Sequence, residues 1–116
     1  MVIGMVNDPT FGPIMMLGSG GTMIELFGDV VHAPAPIDAA EATRLILSLK
    51  SARLLTGFRG AKPIDPAPVA SLVAALSRAA LALRDQVQEF ELNPVIVHAD
   101  GSGLTVADAL LTMKPS

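Results

Sequence analysis

The sequence predicts an α+β domain, a mostly antiparallel sheet with two helices packed on one of its faces. Three observations carry this. Two apolar runs near the start, Val2–Val6 and Ile14–Leu17, are too short for helices and are bounded by dense turn formers. Two central stretches combine capping residues with apolar residues at helical spacing. Near the end, two extended stretches flank the turn Ala99–Gly103, the pattern of a β-hairpin.

In chain order, Val2–Val6 reads as a strand, and Asn7–Pro13 as a loop because it holds two prolines and a glycine. Ile14–Leu17, closed by Pro13 and Gly18, reads as a buried strand. Thr22–Phe27 and Gly28–Val31 alternate around Glu25 and Asp29, which predicts an extended hairpin or a bent strand. His32–Pro36 reads as an extended connection, since each proline drives its predecessor out of the helical region. Asp38 and Glu41 form a capping-box pattern ahead of Ala42, Leu45, Ile46 and Leu49, so a helix is expected over about 39–49. Asp65 and Pro66 open a longer one over about 66–84, with the stripe Val69, Leu72, Val73, Leu76, Ala80 and Leu83. Lys50 and Arg84 stand near the two C-terminal ends, where the helix dipole favours positive charge. A strand over about 86–97 then pairs with Leu104–Leu111, and Lys114–Ser116 reads as a frayed tail.

The 116 residues, 51% of them hydrophobic, suffice for one modest core and a single domain spanning 1–116. A net charge of −3 with four Phe and neither Trp nor Tyr offers no basic field and no stacking platform, which excludes nucleic acid as a partner. No run approaches the ~20 apolar residues of a membrane span, and the first residues lack the basic region of a signal peptide. The absence of cysteine removes disulfides and thiolate chemistry and fits a reducing, cytoplasmic setting. A mean hydropathy of +0.54 leaves surplus apolar surface. This points to a piece of a larger protein, or to a partner or second copy that covers the patch.

The chemistry concentrates in Glu89-Phe90-Glu91-Leu92-Asn93-Pro94. On a strand, alternation places Glu89, Glu91 and Asn93 on one face, either as a row of oxygens for a hard cation or as a solvated outer face. If Val97 pairs with Leu104, the same register sets Asp108 opposite Asn93, on that face. A one-residue slip would send it to the other side. His32 and His98 have no paired spacing, so a zinc site is not expected. Gly18-Ser19-Gly20-Gly21 serves either as a plain strand-to-strand turn or as a cradle of backbone amides for an anion. It is neither a P-loop nor the dinucleotide fingerprint. Arg59, set between Gly57 and Gly60 near Lys62, is either a phosphate clamp or a solvated loop arginine.

Taken in order, these motifs resemble a known family. Asp8 with Phe11-Gly12-Pro13, Met16-Leu17-Gly18 with Gly20 and Gly21, Glu25 and Asp29, Leu54-Leu55 with Gly57-Phe58-Arg59-Gly60, Glu89 through Pro94, and Asp108-Ala109 look like the NDP-forming acyl-CoA synthetases. More narrowly, they are similar to the C-terminal part of that family's ATP-grasp domain, over essentially the whole chain. The resemblance implies a reversible conversion of acyl-CoA, phosphate and ADP or GDP into free acid, CoA and ATP or GTP, through a phosphohistidine on another segment. It implies Mg2+ held by Glu91 and Asn93 with Asp108. It also implies a phosphate-facing surface from Gly20, Gly21, Glu25, Arg59 and Glu89, with Glu25 and Arg59 in catalytic roles. Two positions depart from the pattern: Glu91 stands where many relatives have Asp, and Ala33 where many have Arg. The N-terminal ATP-grasp subdomain with its nucleotide-binding lysine, the CoA-binding domains and the phosphohistidine segment have no counterpart in these residues. The chain is therefore expected to be inactive alone and to need that subdomain or a CoA-binding subunit as partner. The alternative is a non-catalytic module that associates through its apolar surface.

Overall fold

A computed structural model of the chain describes residues 1–20, 26, 28–52 and 64–115. Within them the order is β1 (Val2–Asp8), β2 (Gly12–Gly18), β3 (Val30–Pro34), α1 (Ala39–Ser48), α2 (Ala67–Ala82), β4 (Val87–Leu92), β5 (Val95–Val97), β6 (Leu104–Val106) and β7 (Ala109–Met113). Five strands form one sheet in the order β3-β2-β1-β4-β7, and β5 pairs with β6 in a second. All pairings are antiparallel. The β1–β2 turn closes because Asp8 Oδ1 accepts from the amides of Thr10 and Phe11 at 2.8 and 2.9 Å, ahead of Gly12 at φ +75°.

Alternation along the strands sorts the two faces of the sheet. Ile3 and Met5 of β1 and Met15 and Leu17 of β2 form one core with Leu45 and Ile46 of α1 and Val69 and Val73 of α2. Both helices therefore cover the same face, and the expected α+β architecture holds. Two polar residues stitch this layer. Asn7 donates from Nδ2 to the carbonyls of Arg84 (2.6 Å) and Val87 (3.3 Å), fixing the end of α2 to β1. Ser77, fully buried, accepts from the Ile37 amide at 2.9 Å and donates to the carbonyls of Ile37 and Ala74. Among the described residues no buried side-chain polar atom lacks a partner, and no helix is long and apolar enough to cross a membrane.

Several local readings change. The strand expected over 86–97 is two strands in two sheets, because Pro94 has no N–H to continue the ladder. β5 turns back instead to the chain start, where the Val95 amide donates to the Met1 carbonyl at 2.7 Å. His32–Pro36 is no mere connection: its first three residues belong to β3, an edge strand, where proline is tolerated. Leu26, the one described residue of Thr22–Phe27, has helical backbone rather than extended. Asp38 caps α1 as expected, its Oδ1 accepting from the Glu41 amide at 2.8 Å. Glu41 does not reach back, because its carboxylate pairs with Arg44 at 2.6 Å. Pro66 takes the N-cap of α2, with Asp65 Oδ1 accepting from the Ala67 amide one residue on. Neither helix holds a basic residue in its last turn, and Lys50 and Arg84 lie just beyond.

Candidate functional site

The face of the sheet opposite the helices carries the acids. Phe90 and Leu92 of β4 pack against the core, so Glu89 and Glu91 between them project outward and are exposed. The register aligns His32, Met16, Gly4, Glu91 and Leu110 in one row across five strands. Pro34, Ile14, Val6, Glu89 and Thr112 form the next row. Gly4 sits beside Glu91 with no side chain to spare: a Cβ there would meet Met16 Cε at 3.2 Å and the Phe90 carbonyl at 3.4 Å. Glu89 and Glu91 line a concavity of about 230 Å³ floored by Gly4, Val6 and Met16 and walled by Leu110.

The hairpin register settles where Asp108 lies. Val97 pairs with Leu104 and Leu92 with Ala109, and the Asn93 amide donates to the Asp108 carbonyl at 3.0 Å. One register thus runs through the break at Pro94, and Asn93 opposes Asp108. Glu91, Asn93 and Asp108 line one open concavity of about 230 Å³, adjoining the first through Glu91 and Leu110. On a regular strand Glu91 and Asn93 stand roughly 7 Å apart, and directly opposed Cβ atoms are about 5 Å apart, within reach of a shared cation. Among the described residues no three of His, Cys, Asp and Glu converge to hold a metal by themselves. Two carboxylates and an amide oxygen suit magnesium, which takes few protein ligands and completes its shell with water and phosphate. His32 lies three strands from Glu91, roughly 14 Å away. His98 Nε2 lies 2.6 Å from Thr105 Oγ1 in the separate β5–β6 hairpin. Neither imidazole joins the acids.

Of the expected phosphate-facing group, Gly20 is described, with φ at +90° beside Val2. A left-handed backbone there requires glycine. Gly21, Glu25 and Arg59 lie outside the described residues. What stands next to Gly20 is a knot that residue periodicity does not mark. Asp29 is buried, and its carboxylate accepts from the Ser19 hydroxyl, from the Lys50 amide at 2.5 Å and from the Ser51 amide at 2.9 Å. The hydroxyls of Ser19 and Ser51 lie 2.6 Å apart, and the Ser19 amide donates to the Asp29 carbonyl at 3.1 Å. Burial pushes the Asp29 carboxyl up, but the Ser19 hydroxyl and the two amides outweigh it and hold the group below the usual carboxylate range.

This geometry can be set beside known proteins. A family model described as ATP-grasp domain matches residues 1–113. The chain belongs to the ATP-grasp domain family. This ATP-grasp chain is 34% identical over 114 residues to the beta subunit of an ADP-forming acetate–CoA ligase of Pyrococcus furiosus, covering 98% of the chain and 48% of that subunit. It is 39% identical over 114 residues to a trans-feruloyl-CoA synthase from an unknown prokaryotic organism, covering 98% of the chain and 16% of the synthase. A Pyrococcus horikoshii structure superposes with a TM-score of 0.91 at 31% identity, over 99% of the chain and 48% of that structure. A second superposes at 0.87 and 36% identity, over 97% and 52%. It is an acetyl-coenzyme A synthetase of Candidatus Korarchaeum cryptofilum, held with coenzyme A and Mg-AMPPCP, its phosphohistidine segment pointing towards the nucleotide-binding site. The chain spans about half the length of these relatives or less.

Proposed function

We propose that this chain is the C-terminal half of the ATP-grasp domain of an NDP-forming acyl-CoA synthetase and supplies the magnesium and phosphate side of its nucleotide site. The reaction of the whole is acyl-CoA, phosphate and NDP to free acid, CoA and NTP. The observation that carries this is the convergence of Glu91, Asn93 and Asp108 on one open concavity of the uncovered face. These three residues would hold Mg2+, and the metal would supply positive charge against the oxygens of the transferring phosphoryl group. Glu89, one position back on the same face, borders the adjoining concavity and would face the metal's water shell or the phosphate. The amides around Gly20 would face phosphate, and the family resemblance assigns Gly21, Glu25 and Arg59 to the same role. The other ATP-grasp half brings the nucleotide grip, and a CoA-binding part brings the phosphohistidine, so the chain alone binds without turning over. It works in the cytoplasm.

Manganese(II) tests the metal assignment. Added in trace amounts, it broadens NMR amide signals centred on residues 89–93 and 107–110, and excess Mg2+ reverses the effect. Glu91→Ala removes it. Equal broadening at remote acids such as Asp85, or unchanged broadening in Glu91→Ala, defeats the assignment.

A second reading, a non-catalytic module, is favoured by one observation. β7 is an edge strand with Leu110, Leu111 and Met113 all more than half exposed, beside an apolar groove of about 270 Å³ lined by Leu76, Leu83 and Phe90.

A further inference from the structure

We infer that Asp29 is a positioning residue, whose buried carboxylate locks the glycine turn after β2 to the turn after α1 and so sets the phosphate-facing edge of the site. This rests on the nucleotide-site reading above. Three donors from two chain segments meet on one carboxylate: the Ser19 hydroxyl from the glycine turn, and the Lys50 and Ser51 amides from the end of α1. The Ser19–Ser51 hydroxyl contact at 2.6 Å and the amide of Ser19 on the Asp29 carbonyl close the knot. Its two oxygens divide the work, Oδ1 taking Lys50 and Oδ2 taking Ser51 and Ser19. Only a carboxylate accepts on both sides, so a carboxamide must present its NH2 to one of these donors. Gly20, at φ +90°, follows Ser19 directly, so the lock acts on the backbone that would meet phosphate. The metal acids lie elsewhere: Asp29 leads into β3 at one edge of the sheet, whereas Glu91 lies on β4 and Asp108 just before β7, towards the other.

The separation makes the role measurable. Calorimetric titrations are run with Mn2+ alone, then with ADP at saturating Mn2+, on the wild-type chain, Asp29→Asn and Ser19→Ala. Asp29→Asn is expected to leave Mn2+ affinity unchanged and to weaken ADP about tenfold, the cost of one charge-assisted hydrogen bond at the lock. Ser19→Ala, which keeps the carboxylate and both amides, weakens ADP less, and it carries the test if Asp29→Asn does not fold. Equal ADP affinity in the wild type and Asp29→Asn, or in the wild type and Ser19→Ala where only that variant folds, overturns the inference. Parallel loss of Mn2+ and ADP in a variant that remains folded overturns it too, since the lock would then act on the metal acids as much as on the phosphate edge. Failure of the wild type to bind ADP at all instead defeats the nucleotide-site reading, and the inference falls with it.

Discussion

Replacing Ser77 by alanine isolates one hydroxyl that joins the two helices. Ser77 has no exposed surface, and Ile37, its partner just before the cap of α1, is only 3% exposed. The hydroxyl accepts from the Ile37 amide and donates to the Ile37 and Ala74 carbonyls at 2.9–3.0 Å. Ser77→Ala changes volume little but strands a buried amide that water does not reach, at a cost of about 1–3 kcal/mol. The better helix propensity of alanine offsets about 0.5 kcal/mol of this. The net loss is about 0.5–2.5 kcal/mol, which for a chain of this size lowers Tm by roughly 2–10 °C. Calorimetric melting of both proteins at pH 7 measures it. An unchanged or higher Tm would refute the account, because it would mean the amide finds another partner at no cost.

Two further outcomes follow from the same reasoning. Asp29 has a folded pKa held below its ordinary value of 3.8, so the stability it contributes is complete above that value and is lost as pH falls through the folded pKa. Urea unfolding should show the gap between wild type and Asp29→Asn constant at pH 6 and smaller at pH 3, and a gap that widens on acidification contradicts the sign. Glu41 and Asp100 are also depressed, by Arg44 and by Ser102, but they stand in both proteins and cancel in the difference. The edge strand β7, with Leu111 58% exposed, is expected to make the chain sediment above its 12.0 kDa at high concentration. Leu111→Lys should return it to the monomer, and identical sedimentation of the two would show that the edge is not sticky.

The fold was legible because most of its elements are local. The α1 cap, the apolar stripes of both helices and the short strands bounded by glycine and proline are all written within a dozen residues of themselves. What failed was where a strand stops or which neighbour it takes. Pro94 divides 86–97 between two sheets because β5 finds the Met1 backbone, 94 residues away, a partner no local pattern names. Pro34 reads as a breaker, yet β3 tolerates it because among the described residues only β2 pairs with that strand, and edge status is a property of the whole sheet.

The same division explains the site. Glu89, Glu91 and Asn93 share a face because alternation is a two-residue rule, and Asp108 joins them because a hairpin register is fixed by its turn. Asp29 had no such signal. In sequence it is the polar member of the alternating stretch Gly28–Val31 and one of the residues of the family resemblance, but neither marks it as buried, and its meaning comes from donors 10, 21 and 22 residues away. The surroundings of the acids were equally hidden: Gly4 and Met16 come beside Glu91 only through the pairing of β1 with β2 and β4. Sequence therefore supplies the oxygens of this candidate site, but the apolar frame around them is brought by three other strands.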